Sequence, residues 1–288
     1  MIYKQRGQEG TILDCVRRGA PLDHIPVLDL HTHIGNSSRL YYLARSTEEH
    51  VMKYLQRYGV DHILTFTLSA TSDPGVKNRK TYPWSDKFPE KISILAVLHA
   101  AFPHDWIPLL QEAENHGARG IKLLTSYQGV DELEVDFSEA FEFAQTKGWI
   151  VLNHDWIHED HLAEYAENFP DVTFFIGHPT LKMDKRKKLL TKYSNIYQST
   201  CGAFVMPGFS LLNMEDMYRQ LPLDKILFGS DSLDLDLGTG IGPIAYAKIP
   251  ERAKEMMLGA NALELARKIG WDLHEIETLY AAQDRGSV

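Results

Sequence analysis

Eight short, β-rich apolar runs alternate with amphipathic segments from about residue 25 to about residue 270, and this alternation predicts a closed (β/α)8 (TIM) barrel. Three observations carry the prediction. The apolar runs are nearly continuous, as in strands covered on both faces. Strands that alternate with helical patterns form parallel sheets. Eight such units in about 250 residues is the size of a (β/α)8 barrel. A doubly wound open sheet is the rival, but no GxGxxG follows the first strand. All 288 residues read as one domain: a short helical N-terminal extension (1–24), the barrel (about 25–270) and a C-terminal tail (271–288).

The units follow in order. "VLDLHTH" is the first strand, and "STEEHVMKYLQRYG" its helix, with Ser46 and Glu49 as a capping box and Gly59 as the stop. "VDHILTFTLSA" is the second strand, followed by a loop with Asp73, Pro74 and Gly75 and a short helical patch near Trp84. "KISILAVLHA" and "DWIPLLQEAENHG" form the third unit, "ARGIKLLTS" and "FSEAFEFAQTKG" the fourth, and "WIVLNHD" and "HEDHLAEYAENFP" the fifth. "VTFFIGHP" precedes the Lys182–Tyr193 segment, whose apolar residues recur at helical spacing beside a basic, solvated face. "NIYQSTCGAF" with "FSLLNMEDMYRQLP", then "KILFGSDS" with "ERAKEMMLGANALELARKIG", complete the eight.

The formal net charge of −9, with charges mixed along the chain, argues against nucleic acid or an anionic membrane as partner. Two cysteines are too few for a disulfide framework. No apolar run approaches a membrane span and the N-terminus lacks a signal-peptide pattern, so the expectation is a cytoplasmic protein acting on a small molecule, with a homodimer as its expected assembly.

Polar residues recur where strands end. Alternation along the first strand puts Asp29, His31 and His33 on one face. Two imidazoles about 7 Å apart along a strand can converge on one ion, whereas two unpaired rings in a core are costly. His99 ends strand three, Lys122 lies within strand four, His154 ends strand five, His178 strand six and Asp231 strand eight. A barrel delivers all these ends to one rim. His31, His33, His154 and Asp231 then make a nitrogen and oxygen donor set suited to zinc, manganese or iron(II), with no thiolate in it.

The ordered series of HxH after strand one, His after strands five and six, and Asp after strand eight resembles the amidohydrolase superfamily. "VLDLHTH", "GIKLL", "FFIGHP", "ILFGSD" and "LGANALEL" are most similar to its branch of metal-dependent TIM-barrel hydrolases and decarboxylases, which includes aminocarboxymuconate semialdehyde decarboxylase and lactone hydrolases. The resemblance spans Val27 to Ile269. It implies one divalent metal, zinc above manganese or iron, on His31, His33, His154 and Asp231, with His178 catalytic beside it. A metal lowers the pKa of its water to about 7. Asp231 would take that water's proton and pass it to the leaving group, and His178 would polarise a carbonyl or stabilise an oxyanion. The rival readings are a buried, carbonyl-bonded His178 and an Asp231 that caps a loop.

In phosphotriesterase-like members a carboxylated lysine on strand four bridges two metals. Lys122 and His178 are the candidates for that variant; one metal is the expectation. Asp29 is expected to support the ligands without touching the ion. His99, Arg39, Arg79 and the neighbouring Lys80 are candidates for a substrate carboxylate. Asn261 is expected to organise a turn. Cys201 either lines the pocket or is a small buried hydrophobe, the commoner role of a free cysteine. The function expected is hydrolysis of a C–O or C–N bond (lactone, ester or amide) in a small polar, carboxylated molecule. Decarboxylation of an unsaturated or aromatic acid is the alternative, and a non-catalytic metal-binding scaffold the third.

Overall fold

A computed structural model describes residues 10–34, 47–67, 73–154, 156–179, 181–202 and 211–284. Eight parallel strands pair in sequential order: β1 (Leu28–His33), β2 (His62–Phe66), β3 (Ile92–Val97), β4 (Ala118–Leu123), β5 (Ile150–Asn153), β6 (Thr173–Ile176), β7 (Ile196–Ser199) and β8 (Ile226–Leu227). The first and last strands close the ring. The Leu30 N–H donates to the Phe228 carbonyl at 3.0 Å, the Asp231 N–H donates to the His31 carbonyl at 3.0 Å, and Thr32 bridges Ser232. The fold is a (β/α)8 TIM barrel.

The strands are apolar on both faces because both faces are covered. Ile63, Ile94, Ile121, Val151, Phe174 and Ile196 pack outward on helical residues such as Leu110, Phe141, Leu162 and Leu189. Leu64, Phe66, Leu95, Val97, Leu152 and Phe175 fill the interior. Among the described residues no helix is long and apolar enough to cross a membrane.

Local signals act as expected where they are described. The N-terminal extension holds a helix, Ile12–Arg18, opened by a Thr11–Asp14 capping box. The helix Glu48–Tyr58 ends at Gly59, where φ is 76° and a Cβ would lie 3.0 Å from the Leu22 carbonyl carbon, so glycine is required twice over. Its cap is Thr47, whose hydroxyl accepts from the His50 N–H at 3.4 Å; the expected cap, Ser46, lies outside the described residues.

Three expectations are corrected. Asn261 sits in no turn: the helix Glu251–Glu255 runs through a π segment (Met256–Ala260) into Asn261–Lys268. The Asn261 amide donates to the carbonyls of Leu223 at 2.7 Å and Ile226 at 2.8 Å, fastening this helix to the start of β8. The segment from residue 271 is no loose tail, because Trp271, Leu273 and Ile276 are buried in the inner cluster. Trp271 meets His62 edge to face at 5.4 Å, at the end of the barrel where strands begin. The Lys182–Tyr193 helix is not wholly solvated on its basic side, since Arg186 is buried and reaches Gln198 of β7 at 3.5 Å.

His62 provides a stability test. It is fully buried between the Glu90 carbonyl (3.2 Å) and the Ser93 hydroxyl (3.0 Å), and burial pushes its pKa down to about 4. The folded chain therefore keeps a neutral ring while the unfolded chain protonates below about pH 6.5. Stability from this group is complete above about pH 6.5 and is lost as pH falls toward 4, by about 3 kcal/mol in all. In urea titrations across that window His62→Gln should lose distinctly less stability than the parent; an unchanged pH slope would contradict the assignment.

Candidate metal centre

The rim is shaped first by an irregularity in β1. Asp29 pairs with Ile63, yet His33 pairs with Phe66, so the register slips by one residue between Asp29 and Thr32. Ile63 belongs to the outer layer and Phe66 to the interior. Asp29 and His33 therefore face opposite ways, and the expected shared face of Asp29, His31 and His33 is corrected by this bulge. The outward-facing Asp29 is still fully buried. It accepts from the N–H and hydroxyl of Ser230 and from the His31 N–H at 3.3 Å, latching the loop after β8 to β1. Burial, opposed by those hydrogen bonds, raises its pKa to about 7.

That loop carries Asp231, held in the left-handed region at φ 61°. One of its carboxylate oxygens lies 3.1 Å from His33 Nε2 and 3.3 Å from His31 Nε2. His31 is fully buried, and burial, reinforced by the charge of Lys122, pushes its pKa well below the ordinary imidazole value. The same two causes depress His154. Burial alone would raise Asp231; the imidazoles of His31 and His33 outweigh it and hold the carboxyl well below the usual range. The rim thus holds a carboxylate anion beside His31 and His154, whose charged forms burial disfavours.

His154 and His178 follow β5 and β6 and close the other side. His178 Nε2 lies 3.1 Å from His154 Nδ1, and His178 Nδ1 lies 3.4 Å from the Cys201 carbonyl. A proton on His178 Nδ1 directed at that carbonyl leaves Nε2 to accept from His154, which places the His154 lone pair on Nε2. The His31 and His178 rings are 4.9 Å apart and those of His154 and His178 4.3 Å. Bare glycine backbone makes this crowding feasible. A Cβ on Gly202, where φ is 71°, would lie 2.6 Å from His178 Nδ1; one on Gly229 would lie 2.8 Å from the His31 Cβ and 3.2 Å from the Cys201 Cβ.

Lys122 is fully buried. Its strand neighbours Val97 and Leu152 belong to the interior, so its side chain enters the lumen, a point its sequence position left open. Its Nζ lies 4.6 Å from the centre of the Phe66 ring, which also packs on His31 (5.3 Å) and His33 (4.5 Å). The remaining candidates stand apart. Arg79 is exposed and doubly bonded to Glu112, at 2.6 and 2.8 Å, in the helical layer. Lys80 is exposed, and Arg39 lies outside the described residues. His99 is half-buried, its Nδ1 accepting from the Ala101 N–H at 3.2 Å, and burial lowers its pKa.

Two residues at the rim were not among the sequence's candidates for the site. Tyr127, in the turn Thr125–Gln128 after β4, lies over His154 with ring centres 4.3 Å apart and keeps 42% of its surface exposed. Its signal would have been an aromatic residue in a βα loop. Cys201, weighed as a pocket wall or a small buried hydrophobe, has its Sγ within 4.8 Å of donor atoms on His31, His178 and Asp231.

A divalent ion fits this arrangement. Neither ring nitrogen of His31, nor Nδ1 of His33, has a hydrogen-bond partner although all are buried. Such orphaned nitrogens are costly without a ligand. Neutral imidazoles around a carboxylate are what a zinc-type ion requires of its donors.

A barrel with histidines and an aspartate gathered at the strand ends defines a class of metal-dependent barrel enzymes. Residues 99–267 match the family model described as "Amidohydrolase", and the chain belongs to that family, whose members are generally metal-dependent. No curated protein matches the chain. Among solved structures it resembles 2,6-dihydroxybenzoate decarboxylase from Rhizobium (13% identity, TM-score 0.65, covering 85% of this chain and 99% of that one). It also resembles 5-carboxyvanillate decarboxylase from Sphingomonas paucimobilis (12%, 0.58, 84% and 99%) and 4-oxalomesaconate hydratase from Rhodopseudomonas palustris (15%, 0.61, 85% and 96%). At these identities the likeness is one of fold.

The glycine contacts make a checkable claim. Gly229→Ala should force His31 and Cys201 apart, costing about 1–3 kcal/mol in overpacking and lowering the divalent metal retained per chain by elemental analysis. Gly242→Ala, at a site with nothing within 4 Å, should change neither. Equal metal contents in the two variants would refute the packing argument.

Proposed function

We propose that the protein is a metal-dependent hydrolase that cleaves a C–O or C–N bond (lactone, ester or amide) in a small, polar, carboxylated molecule. One observation carries the reading: a half-buried carboxylate, Asp231, wedged against His31 and His33 at the mouth where the strands end. An ion on His31, His33, His154 and Asp231, zinc by donor type, would supply Lewis acidity that lowers the pKa of water to about 7 and polarises a carbonyl.

The chain supplies the rest. Asp231 is ionised and so able to accept the water's proton and return it to the leaving group. His178, once protonated at Nε2, would donate toward a developing oxyanion. Lys122, below the cluster, helps keep His31 and His154 neutral, the state in which they act as donors. Tyr127, exposed above His154, and the other walls of the mouth would receive the substrate, Tyr127 offering its flat face to an unsaturated or aromatic one.

Those walls favour a second reading, non-oxidative decarboxylation of an unsaturated or aromatic acid. The printed activities of two structural neighbours, both decarboxylases of aromatic acids, support it.

Metal-stripped protein should be inactive and regain turnover with about one zinc per chain. A panel of lactones, amides and aromatic acids in 18O-labelled water separates the readings. Hydrolysis leaves one label in the organic product, whereas decarboxylation releases carbon dioxide and leaves the organic product unlabelled. Asp231→Asn, assayed at saturating zinc, should lose about 10²–10⁴-fold in kcat. Undiminished turnover in that variant would remove the proposed base. Two zinc ions per chain would favour the Lys122-bridged pair.

A further inference from the structure

We infer that the Sγ of Cys201 is a direct ligand of the divalent ion at the rim, so that the donor set includes a thiolate. The inference rests on the metal dependence proposed above and adds a ligand that the series of histidines and aspartate does not contain.

Cys201 stands two residues beyond β7 and is fully buried. Its Sγ, one ring nitrogen each of His31 and His178, and a carboxylate oxygen of Asp231 all lie within 4.8 Å of one another. In a tetrahedral zinc site, with Zn–N near 2.0–2.1 Å and Zn–S near 2.3 Å, donor atoms sit roughly 3.3–3.6 Å apart. Two of those neighbours, His31 and Asp231, are ligands of the ion proposed above, so the sulfur stands among its donors, at distances within about an ångström or so of a ligand cage. An independent observation points into the same space. His31 is wholly buried, approaches Asp231 without hydrogen-bond geometry, and has no hydrogen-bond partner at either ring nitrogen.

The main chain holds the sulfur in place. The Cys201 N–H donates to Ser199 Oγ at 3.0 Å, and its carbonyl faces His178 Nδ1 at 3.4 Å. Gly229 leaves the Cys201 and His31 side chains in mutual reach, since a Cβ there would lie 3.2 Å from one and 2.8 Å from the other. Without a cation the thiol hydrogen-bonds Asp231, and burial with that carboxylate pushes its pKa well up, so the metal is what would draw off its proton.

Coordination exchanges the S–H bond for a sulfur–metal bond, with the proton released to solvent and no change of oxidation state. A thiolate makes the site softer, favouring zinc over manganese. It also ties metal retention to the reduced state of one side chain.

The test uses the full chain carrying Cys15→Ala, so that Cys201 is the remaining thiol, loaded with cobalt(II). Thiolate ligation gives an intense sulfur-to-cobalt charge-transfer band in the near ultraviolet, beside weaker visible bands that report bound cobalt. The charge-transfer band should be present in this parent and absent from Cys201→Ser and Cys201→Ala, with the visible bands retained. X-ray absorption of the zinc form should show a sulfur neighbour at about 2.3 Å. Visible bands without the charge-transfer band in the parent would overturn the inference and leave the metal-dependent reading standing. A parent that binds no cobalt or zinc at all would overturn both. The parent protein decides the question even if a Cys201 variant fails to fold.

Discussion

A carboxylate anion wedged against the imidazoles of His31 and His33 is the interaction on which the rest of this site depends. Asp231 is largely withdrawn from water, and His31 is no ready counter-charge, because burial disfavours protonation of its ring. Charge in such a place needs compensation, or the group protonates instead. A divalent cation would supply that compensation and at the same time give one orphaned nitrogen of His31 a partner. Asp231 sits at φ 61°, where a non-glycine residue costs of order 1 kcal/mol or more. An outlier of this kind at a strand end is where function and backbone strain commonly coincide.

Support for that carboxylate comes from outside the barrel wall. The slip in β1 turns Asp29 away from the lumen while His31 and His33 remain at the rim. Asp29 then grips Ser230 through both its N–H and its hydroxyl, one residue before Asp231. Two acids thus divide the work by face: the outer one fixes the loop, and the inner one meets the imidazoles. Neither acid could do both jobs, because a carboxylate saturated by Ser230 and the His31 N–H has little lone-pair capacity left for an ion.

Much of this was legible in the sequence, for reasons that also mark where legibility stops. Alternating apolar runs and amphipathic segments specify the barrel because each strand must be covered twice, and HxH, His154, His178 and Asp231 are conspicuous because ionisable residues at strand ends have few other uses. The bulge was not legible: a one-residue slip leaves no compositional trace, yet it moves Asp29 to the other face. Lys122 could be placed only once its neighbours Val97 and Leu152 were known to face inward. Cys201 was hidden by chemistry, since a free cysteine is most often an inert apolar residue, and only the convergence of β1, β6, β7 and β8 shows what surrounds its sulfur. Asn261 and Trp271 were misread because their partners, the start of β8 and His62, are distant in sequence.

The chemical state of Lys122 sets how many ions this rim can hold. As an ammonium beside the Phe66 ring it adds positive charge beneath His31 and His154, favouring their neutral forms and opposing a second cation close by. As a carbamate the same side chain would be an anion and the argument would change sign: the imidazoles would be eased toward protonation, and the added negative charge could be balanced by a second ion. Burial bears on the choice as well, because an interior ammonium keeps its full desolvation cost unless something nearby offsets it. The aromatic face of Phe66 offsets part of that cost for a cation and none of it for an anion. With Lys122 as an ammonium, the charge beneath His31 and His33 favours a single metal ion, the number proposed above.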